Sequence, residues 1–293
     1  LAARYGARAV TVSEAIHRDA IDVVLIASSF GPTLALSALP ANLTQTFASA
    51  RRLFALMDER PAVVETGTAA PAYRGMALDH VTFAYGDDEP VLGDLSLDVP
   101  RSGILGVQGP SGRGKSTVLK LLMRYWDPQH GAVLFSGEPL PGVDAHHRRR
   151  VQTMMSQETA LFDGTIRENL MIALPAESAA ATGSDADALL REACRKASVL
   201  DLIDTLPDGL DTQVGELGDR LSEGERQRIG LARVFLRNAD LVLFDEPTSR
   251  LDALNEAVIL QSINALADER DAAIVLVSHR ASTMRIADRV LRM

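Results

Sequence analysis

The period of the hydrophobic positions changes along this chain, and the changes divide it. Residues 77–85 and 92–99 alternate apolar with polar, the two-residue rhythm of half-buried strands. Residues 103–108 form a short apolar run ending in a glycine-rich turn, and 132–136 reads as another strand. Residues 241–244 and 273–277 are apolar throughout, as strands covered on both faces are. Helical spacing marks 118–126, 189–206 and 225–236, while 175–187 is small, polar and expected to be an exposed loop. Strands alternating with helices predict an α/β fold, a mostly parallel sheet with helices on both faces.

The first sixty residues follow another pattern. Residues 20–39 are apolar apart from Asp22 and long enough to cross a bilayer. Ser28, Ser29, Gly31, Pro32 and Thr33 dilute that stretch, so by hydropathy a buried helix of a soluble domain competes with a span. Ser13 is placed to cap the helix; Pro32 should kink it, and Pro40 should kink it again or end it. Residues 41–59 are amphipathic, with Leu43, Phe47, Ala50, Phe54 and Met57 on one side. Arg51 and Arg52 put this end on the cytoplasmic face of any membrane. Residues 61–75, rich in Pro, Gly, Thr and Ala, read as a linker and domain boundary. No fixed-period repeat is evident.

Composition adds exclusions. In 293 residues, 46% are hydrophobic and 24% charged, an ordinary globular balance with ample material for a core. A net charge of −9 argues against a nucleic-acid surface. One cysteine, Cys194, excludes an internal disulfide and, with six scattered histidines, any zinc or iron–sulfur spacing. The chain starts with Leu and shows no signal peptide, and one lone span without partners suggests a fragment of a larger membrane protein. The basic run 146–150 reads as a solvated helix start, and the Asn42-Leu43-Thr44 sequon as chance.

The chemistry concentrates in three stretches. Gly109-Pro110-Ser111-Gly112-Arg113-Gly114-Lys115-Ser116 fits the phosphate loop G-x-x-x-x-G-K-S, after an apolar strand and before the helix that Thr117 enters. Its glycines let backbone N–H groups turn in on a β-phosphate at the positive end of a helix. Lys115 should reach the β- and γ-phosphates, and the Ser116 hydroxyl should ligate Mg²⁺. The apolar strand 241–244 ends in Asp245, placed to hold the Mg²⁺ water shell, and Glu246, suited to act as general base on the attacking water. Between these lies Leu221-Ser222-Glu223-Gly224-Glu225-Arg226-Gln227-Arg228, where Ser222 and Glu225 form a capping box for the helix that follows.

With these three stretches in this order, the region from 76 to 293 resembles the ATP-binding-cassette (ABC) ATPases. The resemblance implies a phosphate-loop core with a small antiparallel β subdomain and a helical subdomain. It also implies that Ser222, Gly224 and Glu225 close over ATP held by a second ATPase subunit, alike or different. It makes Tyr85 the aromatic that stacks on adenine, against the plainer reading of a strand tyrosine packed on a neighbour. Gln157 becomes the glutamine that senses Mg²⁺ and the attacking water, His279 the histidine on the γ-phosphate, and Asp252 the acid of the interface loop 249–252. Catalysis would rest on Glu246, His279, Gln157 and Lys115; metal binding on Ser116, Gln157 and Asp245.

Residues 161–169 look like the stretch that exporter-type members place against their membrane domain, and 30–54 like a last membrane helix with its cytoplasmic extension. The expected organisation is therefore 1–60 membrane-domain end, 61–75 linker and 76–293 ATPase. Its partners would be its own or a partner's transmembrane domain, a bacterial inner membrane and a transported small molecule, lipid or peptide, with the ATPase in the cytoplasm. Glu223 and Glu225 replace the family's Gly and Gln, and Arg250 replaces a small residue; Arg226 and Arg228 would offset the added acids. Two rivals stand beside this reading: a soluble ABC ATPase acting mechanically on nucleic acid or ribosomes, and a nucleotide-binding regulatory subunit without turnover.

Overall fold

A computed structural model describes residues 2–86, 88–175, 184–249 and 251–293, with the side chains of 2–16, 29–39, 41, 42 and 184 left out. Most of the expected loop 175–187, and Arg250, fall outside the described residues. The chain divides into two compact units, Leu1–Pro61 and Ala62–Met293.

The first unit is one helix, α1 (Ala2–Met57). Ser13 is therefore interior rather than a cap, and Pro40 does not end the helix. Each proline removes only its own N–H from the ladder, and the flanking Ala- and Leu-rich segments carry the helix across. The Thr44 hydroxyl donates to the Pro40 carbonyl at 2.8 Å. Leu43, Phe47, Phe54 and Met57 are exposed, as are Ile21, Val23, Val24, Leu25 and Ile26. Among the described residues no helix is long and apolar enough to cross a membrane; side chains 29–39, half of the candidate span, lie outside that description.

The second unit holds two sheets. β1 (Met76–Phe83), β2 (Leu92–Val99), β4 (His130–Phe135) and β5 (Glu138–Pro139) form an antiparallel sheet in the order β2-β1-β4-β5. In β1 a register shift between Leu78 and Val81 keeps Met76, Leu78, Val81 and Phe83 all buried. The second sheet runs β6-β7-β8-β3-β9, all parallel, from β3 (Gly103–Gln108), β6 (Gln152–Met155), β7 (Leu241–Asp245), β8 (Ala273–Ser278) and β9 (Arg289–Arg292).

Helices cover both faces, as a parallel sheet requires. On one face α2 (Lys115–Leu122) packs Val118, Leu119 and Leu122 with Leu241 and Leu243 of β7 and the apolar side of the antiparallel sheet. On the other, Val242 and Phe244 meet α7 (Glu223–Arg237) and α8 (Ala253–Arg270) through Ile229, Phe235, Ile259 and Ile263. Shorter helices α3 (Ala145–Val151), α4 (Ile166–Met171), α5 (Ser184–Lys196) and α6 (Leu200–Thr205) complete the body. The expected helix 189–206 is two, because Ser198 takes a left-handed backbone (φ 55°) between α5 and α6. The helix read over 118–126 starts earlier, at Lys115, and stops at Leu122, before Arg124 turns left-handed (φ 55°).

The stretch after Pro61 is tied to this body. Glu65 pairs with Arg124 at 2.8 Å and Arg148 at 2.5 Å, Ala69 bridges to Val143, and Tyr73 packs edge-on against Phe135 at 5.7 Å. At Gly67 a Cβ would fall 2.4 Å from the Val143 carbonyl oxygen, so only glycine permits this approach.

Candidate nucleotide site

β3 enters the site from within the parallel sheet, between β8 and the edge strand β9, and the chain turns through 109–114 into α2. Gly112 and Gly114 both take positive φ, 81° and 83°. At Gly114 a Cβ would lie 2.6 Å from the Leu92 side chain, so both conformation and space exclude a larger residue. Gly109 lies against the chain end, where a Cβ would meet the Met293 carbonyl oxygen at 2.6 Å. The turn and the start of α2 line a cavity of about 400 Å³ with Ser111, Gly112, Gly114, Lys115, Ser116 and Thr117, joined by Tyr85, Val91, Lys120, Gln157 and Glu246. Arg113 is exposed beside it.

Two neighbouring strands deliver the polar groups. Lys115, only 5% exposed, donates to the Pro110 carbonyl at 2.9 Å and stands 3.8 Å from the Glu246 carboxylate. The Ser116 hydroxyl donates to Asp245 at 2.9 Å. Burial pushes the Asp245 pKa up; the Ser116 hydrogen bond opposes this, and the neighbouring Glu246 charge adds to it. Glu246, just past β7, has a left-handed backbone (φ 48°), and its N–H donates to Val277 of β8 at 3.0 Å. Its second carboxylate oxygen lies 3.1 Å from Nδ1 of His279, which follows β8. Lys115, Glu246 and His279 thus meet across three elements.

Tyr85 packs on its neighbours, the plainer of the two readings given for it. Its hydroxyl is 3.1 Å from that of Thr117, and its ring packs edge-on against Phe83 and Trp126, with centroids at 4.9 and 5.2 Å. It lines the cavity nonetheless. The Lys120 ammonium sits 5.7 Å from the Tyr85 ring centre and 5.6 Å from that of Trp126. Sequence reasoning passed over Lys120. The signal was its place one helical turn beyond Ser116, on the same face of α2.

Ser222, Gly224, Glu225 and Asp252 do not line this cavity. Ser222 caps α7, and the capping box is complete: its N–H donates to Glu225 at 2.7 Å, and its hydroxyl accepts from the Glu225 N–H at 3.4 Å. Arg226 reaches Glu223 at 2.5 Å, so one added acid has a cation beside it, whereas Arg228 goes instead to Asn255. Asp252 caps α8, accepting from the N–H groups of Leu254 and Asn255, and those bonds from Asn255 chiefly hold its pKa down. Gln157 is exposed; its amide lies 3.5 Å from the Ser249 hydroxyl, and its carbonyl accepts from buried Gln227 of α7 at 3.1 Å.

Glu256 and Arg280, both overlooked in the sequence, brace the loop before α8. Arg280 donates to Glu256 at 2.8 Å and to the Ser249 carbonyl at 3.0 Å. Burial raises the Glu256 pKa, but hydrogen bonds from Ser282, Arg280 and Thr283 outweigh it, and the net shift is downward.

Comparison with known proteins agrees with this geometry. The family described as ABC transporter matches residues 92–249. A probable ABC transporter ATP-binding/permease protein of Haemophilus influenzae is 45% identical over 276 residues, 92% of this chain and 48% of that protein. A mycobactin import ATP-binding/permease protein of Mycolicibacterium smegmatis is 38% identical over 92% of this chain and 45% of its own length. The chain thus spans about half the length of the curated relatives it matches. The structure of a bacterial Atm1-family ABC exporter with ATP bound superposes with a TM-score of 0.75 and 31% identity, over 86% of this chain and 43% of that one. The chain belongs to the ABC transporter family and carries its ATPase domain.

Proposed function

We propose that this chain is the ATP-hydrolysing end of an ABC exporter half, working on the cytoplasmic side of a membrane as one of two such subunits. One observation carries the reading: Lys115 and Glu246 line a single cavity with Tyr85 in its wall, His279 is hydrogen-bonded to Glu246, and the Ser116–Asp245 pair stands beside them. Backbone N–H groups at 111–116 hold the triphosphate, and Lys115 exchanges its protein acceptors for phosphate oxygens. Glu246 takes a proton from the attacking water, and His279, hydrogen-bonded to it, holds the carboxylate and reaches toward the γ-phosphate.

The residues present suit Mg²⁺. Among the described residues no group of three His, Cys, Asp or Glu forms a metal cage. Mg²⁺ bound with phosphates does not use one; it keeps several waters and one or two protein oxygens. The Ser116 hydroxyl would supply a ligand, with buried Asp245 beside it and Gln157, whose amide lies near Ser249, in the cavity wall. When bound, the ion neutralises charge on the β- and γ-oxygens.

Ser222, Gly224 and Asp252, which do not line their own subunit's cavity, serve the ATP of the other subunit. Residues 1–60 are the end of the membrane domain, with 61–75 joining it to the ATPase. Export rather than import rests on the stretch 161–169 and on the exporter neighbour. Glu246→Gln in the 293-residue chain is the deciding variant. It should bind ATP like the parent and release phosphate at least about 100-fold more slowly. Turnover near the parent rate ends this assignment.

A further inference from the structure

Asn255, in the first turn of α8, is held at both ends of its amide. Its Oδ1 accepts from Arg228 of α7 at 2.5 Å, and its Nδ2 donates to the Asp252 carboxylate at 2.6 Å. The same amide lies flat on Gly224, where an added Cβ would sit 3.3 Å from the Asn255 side-chain carbon. Only one orientation satisfies both neighbours, because a guanidinium offers only donors and a carboxylate only acceptors. Asp at 255 would set two carboxylates together, and an aliphatic residue would leave both charges without this partner.

Asp252 is further fixed by the N–H groups of Leu254 and Asn255, both at 3.0 Å. Arg228 sits one residue beyond Gln227, whose side chain grips the Gln157 carbonyl. The chain of bonds therefore runs from the helix that starts at Ser222 to the loop that ends at Asp252. Those are the two elements assigned above to the partner subunit's ATP.

We propose that Asn255 is a positioning residue that locks the start of α7 to Asp252 at the start of α8, so that both meet the opposing subunit together. This rests on the two-subunit reading above. Asn255 touches neither the cavity of its own subunit nor its lining residues Lys115 and Glu246. Its loss should therefore weaken subunit closure and leave ATP capture by the separate subunit intact.

The test uses Glu246→Gln, in which hydrolysis cannot reverse ATP-driven association, and follows dimer formation of the 293-residue chain by analytical ultracentrifugation with saturating MgATP. Adding Asn255→Ala or Arg228→Ala should weaken dimerisation roughly ten-fold each, and the two together no more than either alone, since either change severs the same link between α7 and Asp252. Affinity of the monomer for a fluorescent ATP analogue should stay within about two-fold of the Glu246→Gln parent. In the background with Glu246 intact, Asn255→Ala should lower kcat with little change in KM at a protein concentration where the parent is dimeric. If Glu246→Gln itself stays monomeric with ATP, the two-subunit reading falls and this proposal with it. Should it dimerise while the Asn255→Ala version dimerises equally well, or the two losses add, only the role of Asn255 is overturned. Loss of monomer nucleotide binding in Asn255→Ala overturns it too, since a general structural defect then explains the result.

Discussion

Replacing Glu65 by alanine should unsettle the ATPase body more than any other single change in the stretch 62–75. Arg124 and Arg148 have side chains only 3% exposed, and both point at this one carboxylate. Arg124 would keep Asp127, at 2.9 and 3.2 Å, and the Val64 carbonyl at 3.2 Å. Among the described residues Arg148 gives its side-chain hydrogen bonds to Glu65 alone, and its Nε is already without an acceptor. The cost therefore falls on one stranded guanidinium. Breaking a fully buried pair costs about 3–5 kcal/mol; because 33% of the Glu65 side chain sees water, a loss of roughly 2–3 kcal/mol is the reasonable expectation. For a body of this size that is a fall in Tm of about 5–10 °C, read by scanning calorimetry. The effect should fade in acid. The Arg148 hydrogen bond first, then the charges of Arg148 and Arg124, hold the Glu65 pKa below its ordinary value against the opposing effect of burial. Its stabilisation is complete above the unfolded-state pKa and lost as pH falls through the lower native one. Arg148→Met added to Glu65→Ala should recover part of the loss, by replacing a stranded charge with an apolar side chain. A Tm for Glu65→Ala within a degree of the parent at neutral pH would refute the reasoning.

Three further outcomes follow from the site. Tyr85→Ala should raise KM for ATP about ten-fold at nearly constant kcat, as loss of one stacked base implies, while Tyr85→Phe, which loses only the Thr117 contact, should stay near the parent; equal defects in both would remove stacking as the cause. Asp245→Asn should make the nucleotide-free chain more stable at neutral pH, because a carboxylate with raised native pKa loses stability as pH rises past its unfolded value; it should also raise the Mg²⁺ concentration for half-maximal turnover roughly 10–100-fold, and a destabilised variant in urea melts would contradict the burial argument. Ser222→Arg and Lys115→Ala, each inactive alone, should regain some ATPase when mixed, since one mixed site has an intact loop and an intact Ser222; a flat mixing curve counts against sharing between subunits.

The parts legible in the sequence were those where local chemistry leaves few choices. The run 103–108 followed by glycines had to be a strand and a tight turn, and it is β3 with residue bounds as read. Ser222 and Glu225 announced a capping box three residues apart, and both its bonds are formed. What escaped was set at long range. β6 is four residues with polar Gln152 and Thr153, and β9 reads Arg-Val-Leu-Arg; neither has enough period to stand out, and each forms because a parallel neighbour offers its edge. Ser198 gives no warning that it will split a helical pattern. Stretch 61–75 looked like a linker because Pro, Gly and Thr carry no period, yet Glu65, Gly67 and Tyr73 find partners that lie beyond 120 in the chain. In the site, Lys115, Asp245 and Glu246 were readable from motifs, whereas Arg280, Glu256 and Asn255 act on loop backbone and on one another across the fold.

The left-handed backbone at Glu246 has a wider consequence. Along a strand, successive side chains point to opposite faces, so Asp245 and Glu246 as ordinary strand residues could not both serve one cleft. The turn at 246 breaks the alternation, leaving Asp245 on Ser116 and Glu246 between Lys115 and His279. Glycine or asparagine would adopt that turn with less strain than glutamate. With Glu246 as the base proposed above, selection for folding and selection for chemistry pull this position in opposite directions, and a sequence optimised for thermal robustness alone would drift toward a well-folded protein that grips nucleotide and no longer spends it.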